Sequence, residues 1–455
     1  MEQRVRKLND AAVRANGRYV LYWCRWNRRV DSNHALAYAA GLANQLELPL
    51  LFLERLTCDY PYASDRLHTF ALQGMPETAA SLRKLGIGCL FHVPRHKRED
   101  AGPISQAIGN AAAVVTDDCP LPPPEFDVAS YAVDSSCVVP ASCIPDRSYA
   151  AYSIRPKIHK LLRQFLQAAP FVRVRKPFEE PLPEWHTEVD AAGMSQLVAA
   201  CEIDHSVAPP AGLPGGRTAA KRRLKEFLQH RLRRYAGERN EPSAHATSEL
   251  SPYLHWGYIS SLEVALAVRH HAAQHKLMAD EFLEELIVRR ELAFNFIRHA
   301  AGTSIDDLPD WARETLHLHR KDRRNPFYTR EQLESAATYD DLWNAAQKEL
   351  LLRGKIHGYY RMYWGKKILE WSPTPEEALA ATLYLNDRYA LDGQDPNGNT
   401  NILWCFGLHD RPWAERPIFG TVRWMSRDGM ERKTNVKAYI REIDYLERTG
   451  KELTA

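Results

Sequence analysis

The run Tyr19-Val20-Leu21-Tyr22-Trp23, the segment His34 to Gln45 and the run Leu48-Pro49-Leu50-Leu51-Phe52-Leu53 decide the fold. Apolar, β-branched and aromatic residues crowd the two short runs, whereas the segment between them repeats its apolar residues at helical spacing. The alternation continues: Arg66 to Leu85 reads as helical, and Cys89-Leu90-Phe91-His92-Val93 and Ala113-Val114-Val115-Thr116 read as strands. Strand and helix in turn predict an α/β domain with a doubly wound parallel sheet over residues 1–135. Such sheets take ligands at the carboxyl ends of their strands. Neither a GxGxxG nor a GxxxxGK[ST] run follows any of these strands, so a dinucleotide-binding or P-loop reading is poor, and an accessory ligand or none remains.

Outward from this stretch the character changes twice. Residues 136–215 carry the Pro-rich pieces Pro177 to Pro183 and Pro209 to Gly216 around one helical patch at Ile158 to Gln167, which predicts a long linker packed along a surface. From 216 to 455 apolar residues recur every three or four positions in Ala219 to Tyr235, Leu262 to His271, Glu281 to Arg298, Leu333 to Leu350, Tyr359 to Trp371 and Pro375 to Asn386, which predicts an all-α domain.

The chain of 455 residues is long enough for two or three domains that each bury a core. Its 60 basic and 57 acidic residues leave a formal charge of +3, so a nucleic-acid partner must be met by a local basic face. The eight cysteines (Cys24, Cys58, Cys89, Cys119, Cys137, Cys143, Cys201, Cys405) include no CxxC pair, which argues against a metal centre or redox dithiol and for reduced thiols. No leader-like apolar segment opens the chain and no run is long and apolar enough to span a bilayer, so the expectation is a cytoplasmic protein without a membrane partner.

Chemistry concentrates in the helical part. Arg217, Lys221, Arg222, Arg223, Lys225, Arg231, Arg233 and Arg234 make a basic helix that reads as a solvated face or as part of a phosphate-binding surface. The segment Tyr359 to Trp413 loads Trp364, Trp371, Trp404 and Trp413 among polar turns, more than a core needs and suited to a redox-active aromatic cofactor. Trp364 and Trp371 are seven residues apart, two turns on one helical face and about 10 Å along the axis, which is hopping distance for an electron and also the spacing of ordinary core residues. Thr247-Ser248-Glu249-Leu250-Ser251-Pro252 places three hydroxyls before a helical run, as an N-cap or as an anion site.

These pieces together resemble the DNA photolyase/cryptochrome family, and most closely its class II cyclobutane pyrimidine dimer photolyases. The resemblance spans nearly the whole chain. It is carried by Tyr149 to Ile158, Thr247 to His255, Glu284 to Leu292, Met362-Tyr363-Trp364 with Lys366 to Trp371, Tyr384 to Tyr389 and Asp395-Pro396-Asn397-Gly398. It implies an α/β domain able to hold an antenna chromophore, a linker, and a helical domain that binds FAD, reduced in its active state, beneath a DNA-binding face. It further implies that Tyr235, Thr247, Ser248, Glu249, Leu250, Ser251, Asp392 and Asp395 bind FAD and that Asn386 lies beside flavin N5. Trp364, Trp343 and Trp371 are implied as photoreduction tryptophans, with Trp364 nearest the flavin. Glu284 or Glu285, Met362 and Trp404 are implied as walls of the lesion pocket, and Arg239 and Asn240 as DNA contacts.

The expected activity is a light-dependent carbon–carbon lyase, a monomer acting on UV-damaged DNA. A carboxylic acid such as Glu284 or Glu285 suits charge developing on a dimer carbonyl, and a damaged pair costs less to flip out than intact bases. The sequence departs from the family at Asn399-Thr400-Asn401-Ile402-Leu403, where an aromatic and small residues are usual, and at Trp256 in Leu254-His255-Trp256-Gly257, where phenylalanine is usual. The alternative is a cryptochrome-like blue-light receptor without repair. A flavin-free helical DNA-binding protein would leave Tyr235, Thr247 to Ser251 and Asn386 without a purpose.

Overall fold

The computed structural model describes residues 1–98, 102–118 and 122–453; Cys119 lies outside them. Among the described residues six strands form one sheet: β1 Val5–Lys7, β2 Tyr19–Cys24, β3 Leu50–Arg55, β4 Gly88–His92, β5 Ala111–Asp117 and β6 Ser130–Val133. Their order is β1-β6-β5-β2-β3-β4, parallel throughout except that β1 closes the edge antiparallel to β6. The period-two alternation of strand side chains explains the near-continuous apolar runs. Val20 and Tyr22 of β2 and Leu50 and Phe52 of β3 feed one buried layer, while Tyr19, Leu21, Leu51 and Leu53 feed the layer on the opposite face.

Helices cover both faces. His34–Gln45 starts on Asn33, whose side chain accepts from Leu36 N. The expected helix over 66–85 is two, Asp65–Leu72 and Met75–Lys84, divided at Gln73 and Gly74. A side chain on Gly74 would strike the ring of Tyr258 at 2.2 Å. In the connecting segment Ala151–Phe165 and Met194–Ala199 are helical. Residues 178–187 run along the β4 edge, with Phe178 N donating to Gly86 O and Thr187 N to Phe91 O.

Beyond residue 216 the fold is helical. Two long rods each contain a π-helical segment: Phe227–Arg231 between Arg217–Glu226 and Leu232–Glu238, and Glu284–Arg289 between Asp280–Leu283 and Arg290–His299. Such segments widen a helix by one residue and are frequent at functional sites. The expected helix over 333–350 instead breaks after Arg330–Glu334 and restarts as Asp341–Arg353, because Ala336 adopts a left-handed conformation and Asp340 caps the next helix by accepting from Trp343 N. One apolar core joins the sheet to helices up to Leu292, and a second fills the bundle from Phe296 to Ile443. Among the described residues no helix is long and apolar enough to cross a membrane.

Arginines of the α/β domain fasten it to the bundle. Arg66 donates to Leu350 O, Leu351 O and Tyr389 O, closing two helix C-termini with one guanidinium. Trp256 is packed here: its Nε1 donates to Leu391 O, and Arg28 lies 5.0 Å over its ring. The adjoining Gly257 has φ +72°, and a Cβ would sit 2.0 Å from Trp26 O. The larger ring therefore anchors the domain interface.

Candidate functional site

A cleft opens in the bundle between the Glu284–Arg289 π segment, the Gly358–Trp371 helix and the Pro396–Cys405 helix. It encloses about 290 Å³, at the lower end of the range for a small-molecule site. Of the residues expected at a cofactor or lesion site, Tyr235, Ser248, Ser251, Glu285, Asp392, Asp395 and Trp404 line it. They come from sequence positions up to 169 residues apart, so the fold assembles what the chain disperses.

The floor is acidic but paired. Asp392 is buried and accepts from Arg361 Nη2 at 2.9 Å. Burial opposes ionisation of its carboxyl, but the Arg361 charge and the Ser251 hydroxyl overcome that and hold it below the usual range. Asp395 caps the Pro396–Cys405 helix by accepting from Asn397 N at 2.8 Å, and also accepts from His255 Nδ1 at 3.2 Å. Burial again opposes, yet His255 and Arg290 bring its carboxyl down to about 2. Asn386 is buried behind Gly398 and donates to Asp387 Oδ1 at 2.8 Å. The missing side chain matters, because a Cβ on Gly398 would lie 3.7 Å from Asn386 Nδ2 and 3.2 Å from Asp392 O.

Arg290 and Arg361 are lining residues, and their buried Nη1 and Nε atoms have no hydrogen-bond partner among the described residues. An orphaned buried donor costs about 1–3 kcal/mol, so the wall is preset for an oxygen-rich anionic ligand. Tyr235 stands beside them, its ring edge-on to Phe282 at 5.2 Å and its hydroxyl pushed up to about 12 by burial.

The turn Thr247 to Ser251 divides its work. Ser248 and Ser251 line the cleft, and Leu250 is buried in the core. Glu249 points away, with φ +55°, into a cage of Arg223 at 2.7 Å, Lys355 at 3.0 Å and Arg231 at 3.3 Å. Against the cost of burial, Lys355 and Arg223 hold its carboxyl far below the usual range. Thr247 lines a separate small pocket with His245 and Glu442, and its carbonyl accepts from Arg231. Much of the basic helix is thus occupied internally: Arg223 and Arg231 grip Glu249, while Arg217 grips Asp31 and Glu263.

The adjacent carboxylates Glu284 and Glu285 separate. Glu285 lines the cleft and accepts from Arg239 Nη1 at 2.8 Å. Glu284 is off the cleft lining, held by Arg155 through contacts of 2.7, 3.1 and 3.2 Å. Trp404, half-buried on the lining, has two cations over its ring, Lys366 at 5.0 Å and Arg423 at 5.6 Å from its centre. Met362, partly buried beside the bundle core, is off the lining, and Asn240 is exposed at the rod's end.

The three tryptophans form one buried stack behind the cleft. Trp364 and Trp343 are parallel, 6.4 Å between centroids and 6° between planes, and Trp371 meets Trp343 edge-on at 5.6 Å. Trp343, on the Asp341–Arg353 helix, fills the gap between the other two. Trp343 Nε1 donates to Trp364 O and Trp364 Nε1 to Gln347 Oε1, which fixes both rings. Arg361 on the cleft lining and Trp364 lie three residues apart on one helix, so the stack starts one turn from the cleft.

Several lining residues escape a reading of the sequence as site residues: Arg361, His255, Thr400, Asn401 and His409. Arg361 stands inside the quoted aromatic run, but its partner Asp392 is 31 positions away, and no local pattern signals such a pair. Thr400 and Asn401 belong to the departing stretch, which is helical and lines the cleft directly.

No family model matches the chain. Known relatives do. The deoxyribodipyrimidine photo-lyase of Methanothermobacter thermautotrophicus is 39% identical over 456 residues, covering 97% of this chain and 98% of that one. Among solved structures, the Synechocystis cryptochrome superposes with a TM-score of 0.67 at 17% identity, covering 94% of this chain and 89% of that one. The archaeal photolyase of Sulfolobus tokodaii, solved with two FAD molecules, superposes with a TM-score of 0.63 at 16% identity, covering 94% of this chain and 91% of that one. An α/β sheet domain joined to a helical bundle with a cleft defines the photolyase/cryptochrome fold class. The chain belongs to the DNA photolyase family.

Proposed function

We propose that this protein is a light-driven, FAD-dependent deoxyribodipyrimidine photo-lyase that splits cyclobutane pyrimidine dimers in DNA. Identity of 39% to a photo-lyase along nearly the whole of both chains carries this reading. The residues fit the cofactor: two orphaned arginine donors and the Ser248 and Ser251 hydroxyls suit the oxygens of a dinucleotide. Tyr235, Ser248, Ser251, Asp392 and Asp395 would hold it, with Thr247, Glu249 and Leu250 shaping the turn and Asn386 approached across Gly398. Reduced FAD, when bound and excited, supplies the high-energy electron that no side chain can.

The chain's own residues do the rest. The Asp392–Arg361 pair keeps a fixed positive charge at the cleft floor without adding net charge. Glu285, when protonated, donates a hydrogen bond to a lesion carbonyl as negative charge develops on it. Trp404 offers a flat apolar face to the flipped bases, with Met362 behind the wall. Arg239 and Asn240 at the rod's end contact the backbone, a salt-dependent interaction that does not read sequence. Trp364, Trp343 and Trp371, in contact through their rings, would pass electrons toward a bound flavin. Residues 216–455 carry this machinery, 136–215 connect, and 1–135 form the layer in which an antenna chromophore would sit. The protein acts as a monomer in the cytoplasm.

The test is a reduced preparation incubated with an oligonucleotide bearing one thymine dimer, in blue light and in darkness. Dimer loss in light alone is expected. Equal loss in both, or none in either, rejects the reading; flavin colour without repair would favour the cryptochrome-like receptor.

A further inference from the structure

The scattered cysteines argue against a metal in the sequence, yet the fold brings two of them to one histidine. Cys58 follows β3, His68 lies on the Asp65–Leu72 helix and Cys201 follows the Met194–Ala199 helix; all three are buried. Their candidate ligand atoms, two sulfurs and a ring nitrogen, lie within 4.8 Å of one another. We propose that Cys58, His68 and Cys201 form a site for a thiophilic divalent cation of the zinc type, placed where the connecting segment docks on the α/β domain.

Donor chemistry supports this. Two thiolates and an imidazole suit zinc, which prefers sulfur and nitrogen in tetrahedral array. With zinc–sulfur bonds of about 2.3 Å the sulfur–sulfur edge is about 3.8 Å. From an upper bound of 4.8 Å, closing the site asks for movements of about 1 Å or less. The histidine is already oriented. Its ring stacks on Tyr60 at 5.6 Å and 10°, and Nδ1 lies 3.3 Å from the Tyr60 hydroxyl, the kind of outer contact that sets a ligating imidazole. His68 Nε2 is buried with no hydrogen-bond partner among the described residues.

The thiols also have a plain alternative. Cys58 Sγ donates to Pro94 O at 3.2 Å and Cys201 Sγ to Leu197 O at 3.2 Å. Thiol donors are weak. On metal binding each thiol releases its proton to solvent, and two weak contacts are replaced by metal–sulfur bonds. The location gives the ion a task. Asp204 N donates to Ala63 O, Arg66 N to Val207 O and Asp65 N to Asp204 O, so the cluster sits under the seam that also orients Arg66 toward the bundle. A bound ion would cross-link the two sides of that seam.

The experiment uses the full-length flavoprotein expressed with added zinc and passed over a sizing column. Elemental analysis should find about one zinc per chain, retained in Cys143→Ser and lost in the Cys58→Ser, Cys201→Ser double variant at unchanged flavin content. A metal-free wild type, or equal zinc in the double variant, overturns the proposal. Cobalt(II) added to zinc-free wild type, with its thiols reduced and its flavin oxidised, gives a second reading that needs no variant. Intense tetrahedral ligand-field bands to the red of the flavin support a thiolate site, and their absence overturns it even if the double variant fails to fold.

Discussion

The tryptophan stack and the cleft share the Gly358–Trp371 helix and are built on opposite terms. Trp343, Trp364 and Trp371 are almost wholly buried and held by stacking and two indole hydrogen bonds. The cleft is held by charge: Asp392 on Arg361, Asp395 on His255, Glu285 on Arg239, and Glu249 behind it in a cage of three cations. The dry side tolerates loss of polarity but not of volume. The charged side tolerates shape changes but not an unmatched charge.

The most damaging break should be in the dry side. Trp343→Ala removes a buried indole and is expected to cost about 3–5 kcal/mol in denaturant unfolding; a cost below about 1 kcal/mol would show that the stack is not a packing unit. Next is the cage. Glu249→Ala strands three cations around one space and should cost about 3 kcal/mol, less whatever solvent enters. Because the folded Glu249 carboxyl is held below its unfolded value of about 4.3, its contribution is complete above that pH and fades as the pH falls. The Glu249→Gln variant should therefore lose less stability on acidification than the wild type between about pH 5 and 3, and parallel curves would refute the cage.

Two gentler substitutions sharpen the contrast through activity. Trp364→Phe conserves most of the volume and should abolish flavin photoreduction while repair by pre-reduced protein persists; loss of both would make Trp364 purely structural. Glu285→Gln should lower the repair yield, whereas Glu284→Gln, which loosens a partly exposed pair with Arg155, should leave repair intact and cost about 1 kcal/mol or less. Equal effects on repair would mean that the two carboxylates are not separated as the geometry has them.

The dry side was the more legible from sequence. Strands β2 to β5 and the helices His34–Gln45, Gly358–Trp371 and Pro375–Tyr389 follow apolar periodicity closely. Burial imposes period on a sequence, and period can be read. β1 and β6 went unseen, since Val5–Lys7 is short and polar and exists through its register with Val133, Ala132 and Tyr131. Ala336 and Asp340 broke a helix that periodicity alone continues. The charged side was legible only through family resemblance, and then incompletely. Arg361 with Asp392, and Glu249 with Lys355, are partners far apart in the chain, and charge complementarity at long range leaves no periodic trace. The same holds for Cys58 and Cys201, 143 positions apart.

The Arg239–Glu285 pair carries a lesson in discrimination. If Arg239 turns to a phosphate, as its proposed DNA contact requires, Glu285 is left facing the cleft without its counter-charge. Intact duplex, whose bases stay stacked, offers that carboxyl nothing in return. A flipped dimer brings a ring N–H that donates to the carboxylate and relieves the stranded group. Selectivity then comes partly from a penalty imposed on every DNA and lifted only by damage.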